Sequence, residues 1–449
     1  MPYIPHSEED RRRMLEAVGV DSLAELFEDV PEEDRFPELD LPRALAEMEA
    51  RWELEALSGV NFTTGDGPSF LGAGAYNHFV PAVVDAVLRR GEFYTAYTPY
   101  QPEVSQGTLQ AIFEYQTMIC DLTGMEVSNA SHYDGATATA ESVITAVNVP
   151  RERRSKVLLS PFVHPEYRAV VRTYLQGQDL TITGDQGDPD VDLTAQLDEN
   201  TACLIVQYPD FLGRIEGLSA LADAVHDVGA LLVVVADPIA LGMLKPPGEF
   251  GADVVVGEGQ GMGAGLNFGG PYLGFFATRK KYVRDMSGRL VGQTVDAEGK
   301  RGYVLTLSTR EQHIRRERAS SNICTNEGLI ALAVAVYMSA MGKCGLRQVA
   351  ELCYHRAHYA AEQIDQLEGY SLATEKAFFK EFPVHCPAPV NEINRYLLEE
   401  WGITGGYDLG RDYSHLEDHM LVCVTEMNPR AEIDLFIQAL DNARDELTA

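Results

Sequence analysis

The chain has 449 residues, of which 45% are hydrophobic and 23% charged, as in a globular protein of about three domains. Its formal net charge of −32 argues against nucleic acids and anionic membranes as partners. The seven cysteines are scattered without a CxxC pair, which indicates reduced thiols and excludes a disulfide framework or a zinc knuckle.

The apolar segments predict neither a membrane span nor a targeting signal. The longest of them, Leu329 to Met341, is shorter than a bilayer requires. The first ten residues lack the apolar core of a signal peptide and are too acidic for a transit peptide. We therefore expect a cytoplasmic protein.

Residues 1–104 are predicted to form an N-terminal helical arm without a sheet of its own. Ser7 and Asp10 form a variant of the capping box, which opens a helix that stops at Gly19. Two further helical segments follow, 22–27 and 43–58. Such an arm should wrap the main domain or a partner, and a loosely packed arm is the alternative.

Residues 105–330 alternate between helical and strand-like segments and form the predicted large domain. The predicted helices are 108–123, 137–147, 165–175, 218–228 and 282–287. The predicted strands are 157–160, 180–183, 203–207, 231–236, 253–256 and 272–277. Short apolar strands between helices indicate an α/β fold with a doubly wound, mostly parallel sheet.

Residues 331–449 are predicted to form a small C-terminal α+β domain. A helix of small residues, 327–341, leads out of the large domain. The segment Met420–Thr425 is predicted to be a strand and Arg430–Leu447 a helix.

Several stretches, in this order and spacing, resemble one protein family. They are Tyr3-Ile-Pro-His6, Phe70-Leu-Gly-Ala-Gly-Ala-Tyr76, the run from Tyr94 to Gly107, Tyr133-Asp-Gly-Ala-Thr-Ala-Thr-Ala140, Gly213-Arg-Ile-Glu216, the run from Thr309 to Glu317, and Ser321-Asn-Ile-Cys-Thr-Asn326. Together they resemble subunit 1, the N-terminal-half alpha subunit, of the two-subunit P-protein of the glycine cleavage system. The resemblance implies the fold of the fold-type-I pyridoxal-phosphate (PLP) transferases.

Four residues match positions that hold the cofactor in related enzymes. Gly135 and Thr137 open a helix whose free N–H groups suit a phosphate, although a plain turn and cap is the alternative. The resemblance implies that His164 lies where an aromatic ring stacks on the pyridine, and that Asp237 holds the pyridinium N–H. A loop histidine and a helix N-cap are the respective alternatives.

The lysine that should hold PLP as an imine is missing. By the resemblance its position falls at or near Gly261, in a glycine-rich segment without an amine. Lys245 precedes the second strand and Lys280 follows the next one, so we expect neither to reach the ring. The chain is therefore expected to bind no cofactor covalently and to leave PLP to a partner.

Two motifs suggest other ligands and are interpreted as structural. Gly259-x-Gly261-x-x-Ala264 resembles a dinucleotide fingerprint, but a proline follows where a helix should continue. His415 and His419 have the spacing of a metal-binding helix, yet they precede a strand and have no third ligand nearby in sequence. We predict neither a nucleotide site nor a metal site.

A second group of residues could form a wall of an active site at a subunit boundary. Its members are Tyr94, Tyr97, Tyr100, Glu103, Arg310 and His313. Tyrosines in a proline-containing loop serve local packing more often than chemistry, and basic clusters usually decorate a helix face. In a heterodimer, however, such side chains could reach carboxylate or phosphate groups of the partner.

The resemblance implies a function that depends on partners. The chain would form an α2β2 assembly with a lysine-bearing PLP subunit. The complex would decarboxylate glycine and transfer the aminomethyl group to the lipoyl arm of H-protein. A stand-alone binding or regulatory protein on a degenerate PLP fold is the alternative, and a lyase that uses another lysine is the least favoured.

Overall fold

The structure is a computed structural model that describes residues 6–149, 154–185, 192–319 and 321–448. Tyr3, Ile4 and Pro5 of the first family-like stretch lie outside the described residues. The chain divides into two compact units, residues 1–62 and 63–449.

The first unit consists of short helices joined by extended chain. Its α-helices are α1 (Glu8–Val18) and α2 (Glu47–Ser58), and residues Leu23–Phe27 form a 3-10 turn. The predicted capping box is present, because the Ser7 hydroxyl accepts from the N–H of Asp10 and the Asp10 carboxylate accepts from the N–H of Ser7. None of the described residues of this unit is buried, so it has no core of its own.

A seven-stranded sheet forms the centre of the second unit. Its strands are β1 (Val127–Ser128), β2 (Lys156–Leu159), β3 (Thr181–Thr183), β4 (Thr201–Tyr208), β5 (Leu231–Ala236), β6 (Val254–Glu258) and β7 (Gly274–Thr278). They lie in the order β1-β7-β6-β5-β4-β2-β3. Strands β2 to β6 are parallel to one another, and β7 is antiparallel to both of its neighbours.

Successive residues of a strand point to opposite faces of the sheet. Both faces of this sheet are apolar, and helices cover both. Leu232 and Val234 of β5 pack into one core, and Val233 and Val235 pack into the core on the other face. The helices before and between the strands are α3 (Ala82–Leu88), α4 (Gly91–Tyr94), α5 (Gln106–Thr123), α6 (Gly135–Asn148), α7 (Pro165–Leu175) and α8 (Ser219–Asp227). The predicted α/β, doubly wound fold is confirmed.

A four-stranded antiparallel sheet follows in the C-terminal part. Its order is β10 (Ser371–Leu372), β11 (Glu381–His385), β13 (His419–Cys423) and β12 (Tyr407–Asp408). It packs with α11 (Val390–Trp401) and α12 (Arg430–Thr448) around a separate core. A hairpin of β8 (Leu290–Val295) and β9 (Arg301–Thr306), together with α9 (Gln312–Arg315), precedes this part of the chain.

One long helix, α10 (Gly328–Ile364), connects the two sheets. By length and apolar composition alone it could cross a membrane. It breaks at Gly342, however, where the backbone is not helical. The residues before the break, such as Val334, belong to the core of the large sheet, and those after residue 356, such as Ala360, belong to the core of the small sheet. We therefore interpret it as a core helix.

Two segments differ from the sequence-based expectation. The segment 282–287 is not a helix, since only a 3-10 turn at Lys280–Tyr282 forms before Gly288 turns the chain with a positive φ. The helix expected at 327–341 continues to Ile364, because the residues beyond the break at Gly342 pack first into the core of the large sheet, as Ala350 does, and then into the second core, as Ala360 does.

The two sheets meet at Gly213, in the loop after β4. The N–H of Phe379 donates to the carbonyl of Gly213 (3.0 Å), and the N–H of Ile215 donates to the carbonyl of Ala377 (2.8 Å). A side chain at Gly213 would overlap the backbone carbonyl of Glu381. The absence of a Cβ therefore allows the segment before β11 to lie directly against the large sheet.

Gly213→Ala should lower the free energy of unfolding by at least about 3 kcal/mol, since it combines left-handed strain (φ +81) with a clash against backbone. Gly299→Ala is the matched control, because Gly299 has nearly the same φ (+79) but open space around it. It should cost about 1 kcal/mol. Urea unfolding of both variants measures the difference, and equal losses would contradict the close approach.

Candidate functional site

A pocket lies at the carboxyl ends of β5 and β6, where ligands bind in open α/β sheets. Three of the predicted cofactor positions, His164, Asp237 and Gly261, line it. Its other chemically relevant walls are Tyr76, Tyr167, Glu258 and Lys380. The small sheet contributes Lys380, which directly precedes β11.

Lys380 enters the pocket and pairs with Asp237. Its Nζ lies 2.7 Å from Oδ2 of Asp237, and the Lys380 side chain is 2% exposed. The same ammonium lies 3.4 Å from the centre of the Tyr76 ring, at cation–π distance. Although burial opposes charge on both groups, each favours the ionised form of the other, so the pKa of Lys380 is raised and that of Asp237 lowered.

Asp237 also caps the turn that follows β5. Its Oδ1 accepts from the N–H of Ile239 (2.9 Å), so both carboxylate oxygens have partners. The capping role, one of the two readings from the sequence, is therefore present together with an ion pair. A pyridinium N–H at Oδ2 would have to displace the Lys380 ammonium.

Beyond Lys380 a chain of hydrogen bonds continues to Glu426. Lysine has only donors, so Nζ of Lys380 donates to Nε2 of His78 (3.2 Å). This contact assigns the proton to Nδ1 of His78, which donates to Glu426 (2.7 Å). Burial is the main cause that lowers the pKa of His78, followed by the charge of Lys380, so the ring is neutral.

The side chains of His78, Cys353 and Glu426 present three potential metal ligands within 4.8 Å of one another. The Cys353 thiol lies 3.3 Å from the Glu426 carboxylate. Because the Lys380 ammonium lies beside His78 and already supplies positive charge, we interpret this group as a hydrogen-bonded network.

The amino-terminal end of α6, where a phosphate was expected, faces a carboxylate of this chain. Oε2 of Glu258 accepts from the N–H of Gly135 (2.9 Å). Its Oε1 accepts from the N–H groups of Gln260 and Leu273, both at 2.9 Å. Burial raises the pKa of Glu258, and these three donors oppose that shift by favouring the anion. The predicted residue Thr137 caps the helix with Asp134.

His164 lies beside the pocket with both ring nitrogens engaged. Nδ1 accepts from the N–H of Glu166 (3.1 Å), which leaves Nε2 to donate to the carbonyl of Ala73 (2.8 Å). The ring stacks on Tyr167, with ring centres 4.8 Å apart and an angle of 24°. The side chains of Tyr167 and Glu258 thus fill the space between His164 and Gly135.

The position of the missing lysine is also closed. A Cβ at Gly261 would lie 2.9 Å from Cδ2 of His78 and 3.4 Å from Cγ1 of Ile239. The remaining cavity has a volume of about 40 Å³, whereas pockets for cofactors and drug-sized ligands measure roughly 300–1,000 Å³. Because the pyridine partner, the phosphate end and the lysine position are all occupied by other side chains, PLP does not fit this pocket.

The tyrosine loop borders a different and larger cavity. Tyr94 and Tyr97 line a space of about 250 Å³ together with Asn326 and Glu327 at the start of α10. Their side chains are 69% and 73% exposed. Among the described residues, neither hydroxyl has a hydrogen-bond partner, so both are available to a ligand or another chain.

Tyr100 and His313 belong to a cluster built around Arg289. The guanidinium of Arg289, 2% exposed, donates to the hydroxyl of Tyr100 (2.6 Å) and to the carboxylate of Glu311 (2.9 Å). Nδ1 of His313 lies 3.4 Å from the same carboxylate, and its ring packs edge-on against Tyr100. This cluster fixes one end of the tyrosine loop.

The structure separates the remaining members of the predicted wall. The guanidinium of Arg310 donates to the carbonyls of Met286 and Gly288, so it serves the backbone. Glu103 is exposed in the turn Pro102–Val104. In the other predicted motif, His415 lies in the 3-10 turn Ser414–Leu416 and His419 begins β13, so the two do not share a helix.

Sequence reasoning missed several residues that shape these sites. A signal existed for Lys380, because a lysine inside the apolar run from Phe378 to Val384 indicates a buried cation with a partner. Glu258 had a similar signal as an acid at the end of an apolar strand. His78 and Arg289 carried none, since their partners are distant in sequence.

Similarity to known proteins extends over nearly the whole chain. A family model described as glycine cleavage system P-protein matches residues 1–440. The probable glycine dehydrogenase (decarboxylating) subunit 1 of Thermomicrobium roseum is 56% identical, over 99% of this chain and 100% of that protein. The protein of the same description from Geobacillus sp. (strain WCH70) is 51% identical, over 98% of both.

Solved structures show the same correspondence. A crystal structure of glycine decarboxylase (P-protein) of the glycine cleavage system, in inhibitor-bound form, matches with a TM-score of 0.92 at 46% identity, covering 99% of this chain and 100% of that one. A sphingosine-1-phosphate lyase of Burkholderia pseudomallei matches with a TM-score of 0.64 at 15% identity, covering 93% and 95% of the two chains, which bears on the fold alone.

The filled pocket predicts that this chain will not react with PLP. One equivalent of PLP added to the chain should produce no visible imine band. Borohydride reduction and peptide mapping should then find no pyridoxyl group on Lys380, because its amine is charged and held at Asp237. A stoichiometric adduct at Lys380, or at Lys245, Lys280 or Lys281, would overturn this assignment.

Proposed function

Because the chain belongs to the glycine cleavage system P-protein family, we propose that it acts as the cofactor-free subunit of a two-subunit glycine dehydrogenase (decarboxylating). The proposal rests on one observation in the pocket. Lys380 and Glu258 are already bound to the groups of this chain that would otherwise bind a cofactor. PLP would then lie on a lysine-bearing partner subunit, in an α2β2 assembly.

The reaction is the decarboxylation of glycine and the transfer of the remaining aminomethyl group to the lipoyl arm of H-protein. PLP, when bound by the partner, supplies the electron sink for the carbon that loses carbon dioxide. The proposed task of this chain is to close the partner's site, exclude water and orient polar groups toward it. We also propose a cytoplasmic location and a division of the chain into three domains that end at residues 104, 330 and 449.

The tyrosine loop is the part of the chain that we propose for this task. Tyr94 and Tyr97 present hydroxyls that have no partner in the described part of the chain at the edge of a cavity of about 250 Å³, while Arg289 anchors Tyr100. An anchored end reduces the mobility of the loop, and a positioned hydroxyl can then donate to charge that develops during the reaction. Glu103 is exposed next to this loop, where its carboxylate would influence the charge near the cofactor.

The arm is the part of the chain that we propose to bind the partner. Within it, the described residues 6–62 include no buried side chain, and large apolar residues such as Phe36, Trp52 and Val60 are 62%, 58% and 82% exposed. Apolar surface of this extent in one segment indicates a protein interface. A stand-alone binding protein is disfavoured, because relatives that match over almost their full length are described as a subunit of the enzyme.

Tyr94→Phe and Tyr97→Phe should each lower glycine turnover at least roughly tenfold, about 1.4 kcal/mol of transition-state stabilisation, if the hydroxyls contact a reacting or cofactor group. The measurement is glycine-dependent carbon dioxide exchange by the complex assembled with the lysine-bearing subunit. Glu103→Gln, which removes an exposed charge, is the companion variant.

Tyr396→Phe provides the matched control, since it removes a half-buried tyrosine hydroxyl from α11. It should keep wild-type exchange activity. If Tyr94→Phe, Tyr97→Phe and Glu103→Gln also keep it in a correctly assembled complex, the loop is structural and the proposed wall is wrong.

Produced without its partner, the chain should self-associate as its concentration rises, because the apolar side chains of residues 6–62 have no core to enter. Sedimentation velocity over a concentration series measures this. Co-expression with the lysine-bearing subunit should replace the mixture by one α2β2 species. A monodisperse monomer would count against the obligate complex and for a stand-alone protein.

A further inference from the structure

We propose that Lys380 and Glu258 are a built-in substitute for the cofactor, and that the Lys380–Asp237 ion pair locks the small sheet against the large one. The proposal concerns the architecture of this chain and goes beyond its role as a cofactor-free subunit. It rests on one ion pair, on one buried carboxyl group that accepts from three backbone N–H groups, and on the elements that these contacts join.

The first contact neutralises a buried carboxylate at the end of β5. The Asp237 side chain is 15% exposed, and a largely buried charge without a counter-charge is destabilising. In this structure the nearest cation is Lys380, at 2.7 Å from Oδ2. The ammonium thus replaces the positive charge that a protonated pyridine would bring to the same oxygen.

The second contact supplies a hydrogen-bond acceptor to the amino-terminal end of α6. This helix has 14 residues, and its free N–H groups favour a negative group. Glu258 places Oε2 2.9 Å from the N–H of Gly135 and binds two more backbone N–H groups through Oε1. Burial raises the pKa of Glu258 to about 8, and its carboxyl oxygens accept from these three N–H groups at the place where a phosphate would bind.

The ion pair also joins two separately built parts of the fold. Asp237 follows β5 of the seven-stranded sheet, whereas Lys380 directly precedes β11 of the four-stranded sheet. The backbone of Lys380 belongs to the small sheet, since its carbonyl accepts from the N–H of Val424 (2.9 Å). Its side chain therefore reaches from one sheet to the other, and the cavity left beside it is about 40 Å³.

A double-mutant cycle in the complex with the lysine-bearing subunit tests the lock. Lys380→Met should lower Tm by at least roughly 5 °C, because it leaves the Asp237 carboxylate buried and unpaired. Asp237→Asn should have a comparable effect through the unpaired ammonium. The double variant should lose clearly less than the sum of the two single variants, since it leaves neither charge buried.

Lys376→Met is the matched control. Lys376 lies four residues before Lys380 and pairs with Glu216, so it joins the same two segments, but both side chains are more than half exposed. Removing an exposed pair should change Tm by about 1 °C or less. Hydrogen exchange should rise at residues 212–215 and 377–381 in the Lys380→Met complex and remain unchanged in the Lys376→Met complex.

Several outcomes would overturn the proposal. They are additive losses in the cycle, equal effects of Lys376→Met and Lys380→Met, or unchanged hydrogen exchange at the junction. If the Lys380→Met chain does not assemble with the lysine-bearing subunit, assembly of the double variant is the test. A double variant that also fails to assemble would reject the proposed role of the ion pair. PLP content and glycine exchange of the wild-type complex test the proposed function separately, so the two ideas can fail independently.

Discussion

A largely buried charge needs a counter-charge close to it, and the carboxylate of Asp237 is such a charge at the centre of the fold. Lys380 supplies the counter-charge from the other sheet at 2.7 Å. Lys380 also donates to Nε2 of His78, which leaves the ring proton on Nδ1. That N–H in turn donates to Glu426. This ion pair therefore adds a buried polar contact to the backbone hydrogen bonds that join the two sheets at Gly213.

The same pair, together with Glu258, gives the proposed cofactor-free subunit internal partners for the groups that would bind a cofactor. In a PLP enzyme the ligand supplies charge at the strand end and at the helix N-terminus. Loss of the ligand alone would leave both groups unsatisfied inside the protein, at a cost of several kcal/mol. Here Lys380 pairs with Asp237, and Glu258 accepts from the N–H of Gly135, so both groups have partners within this chain.

The two candidate sites divide the functional roles of the chain. The pocket at Asp237 is small, about 40 Å³, and its central carboxylate is paired with Lys380. The cavity at Tyr94 and Tyr97 is larger, about 250 Å³, and the hydroxyls beside it have no partner among the described residues. Closed polar networks rigidify a structure, while unpaired exposed groups can bind other molecules. This difference is why the tyrosine loop, and not the pocket at Asp237, is proposed as the wall of the active site.

Local patterns in the sequence were sufficient for most of the fold. The strand Leu231–Ala236 and the helix Pro165–Leu175 have the predicted bounds, because continuous apolar runs and caps are properties of neighbouring residues. The absence of a lysine near Gly261 was also readable directly, since it is a matter of residue identity. The tertiary structure alone decided that Lys380 fills the pocket and that Arg289 anchors Tyr100. These contacts join residues more than a hundred positions apart, and their strength depends on burial and distance, which exist only after the chain has folded.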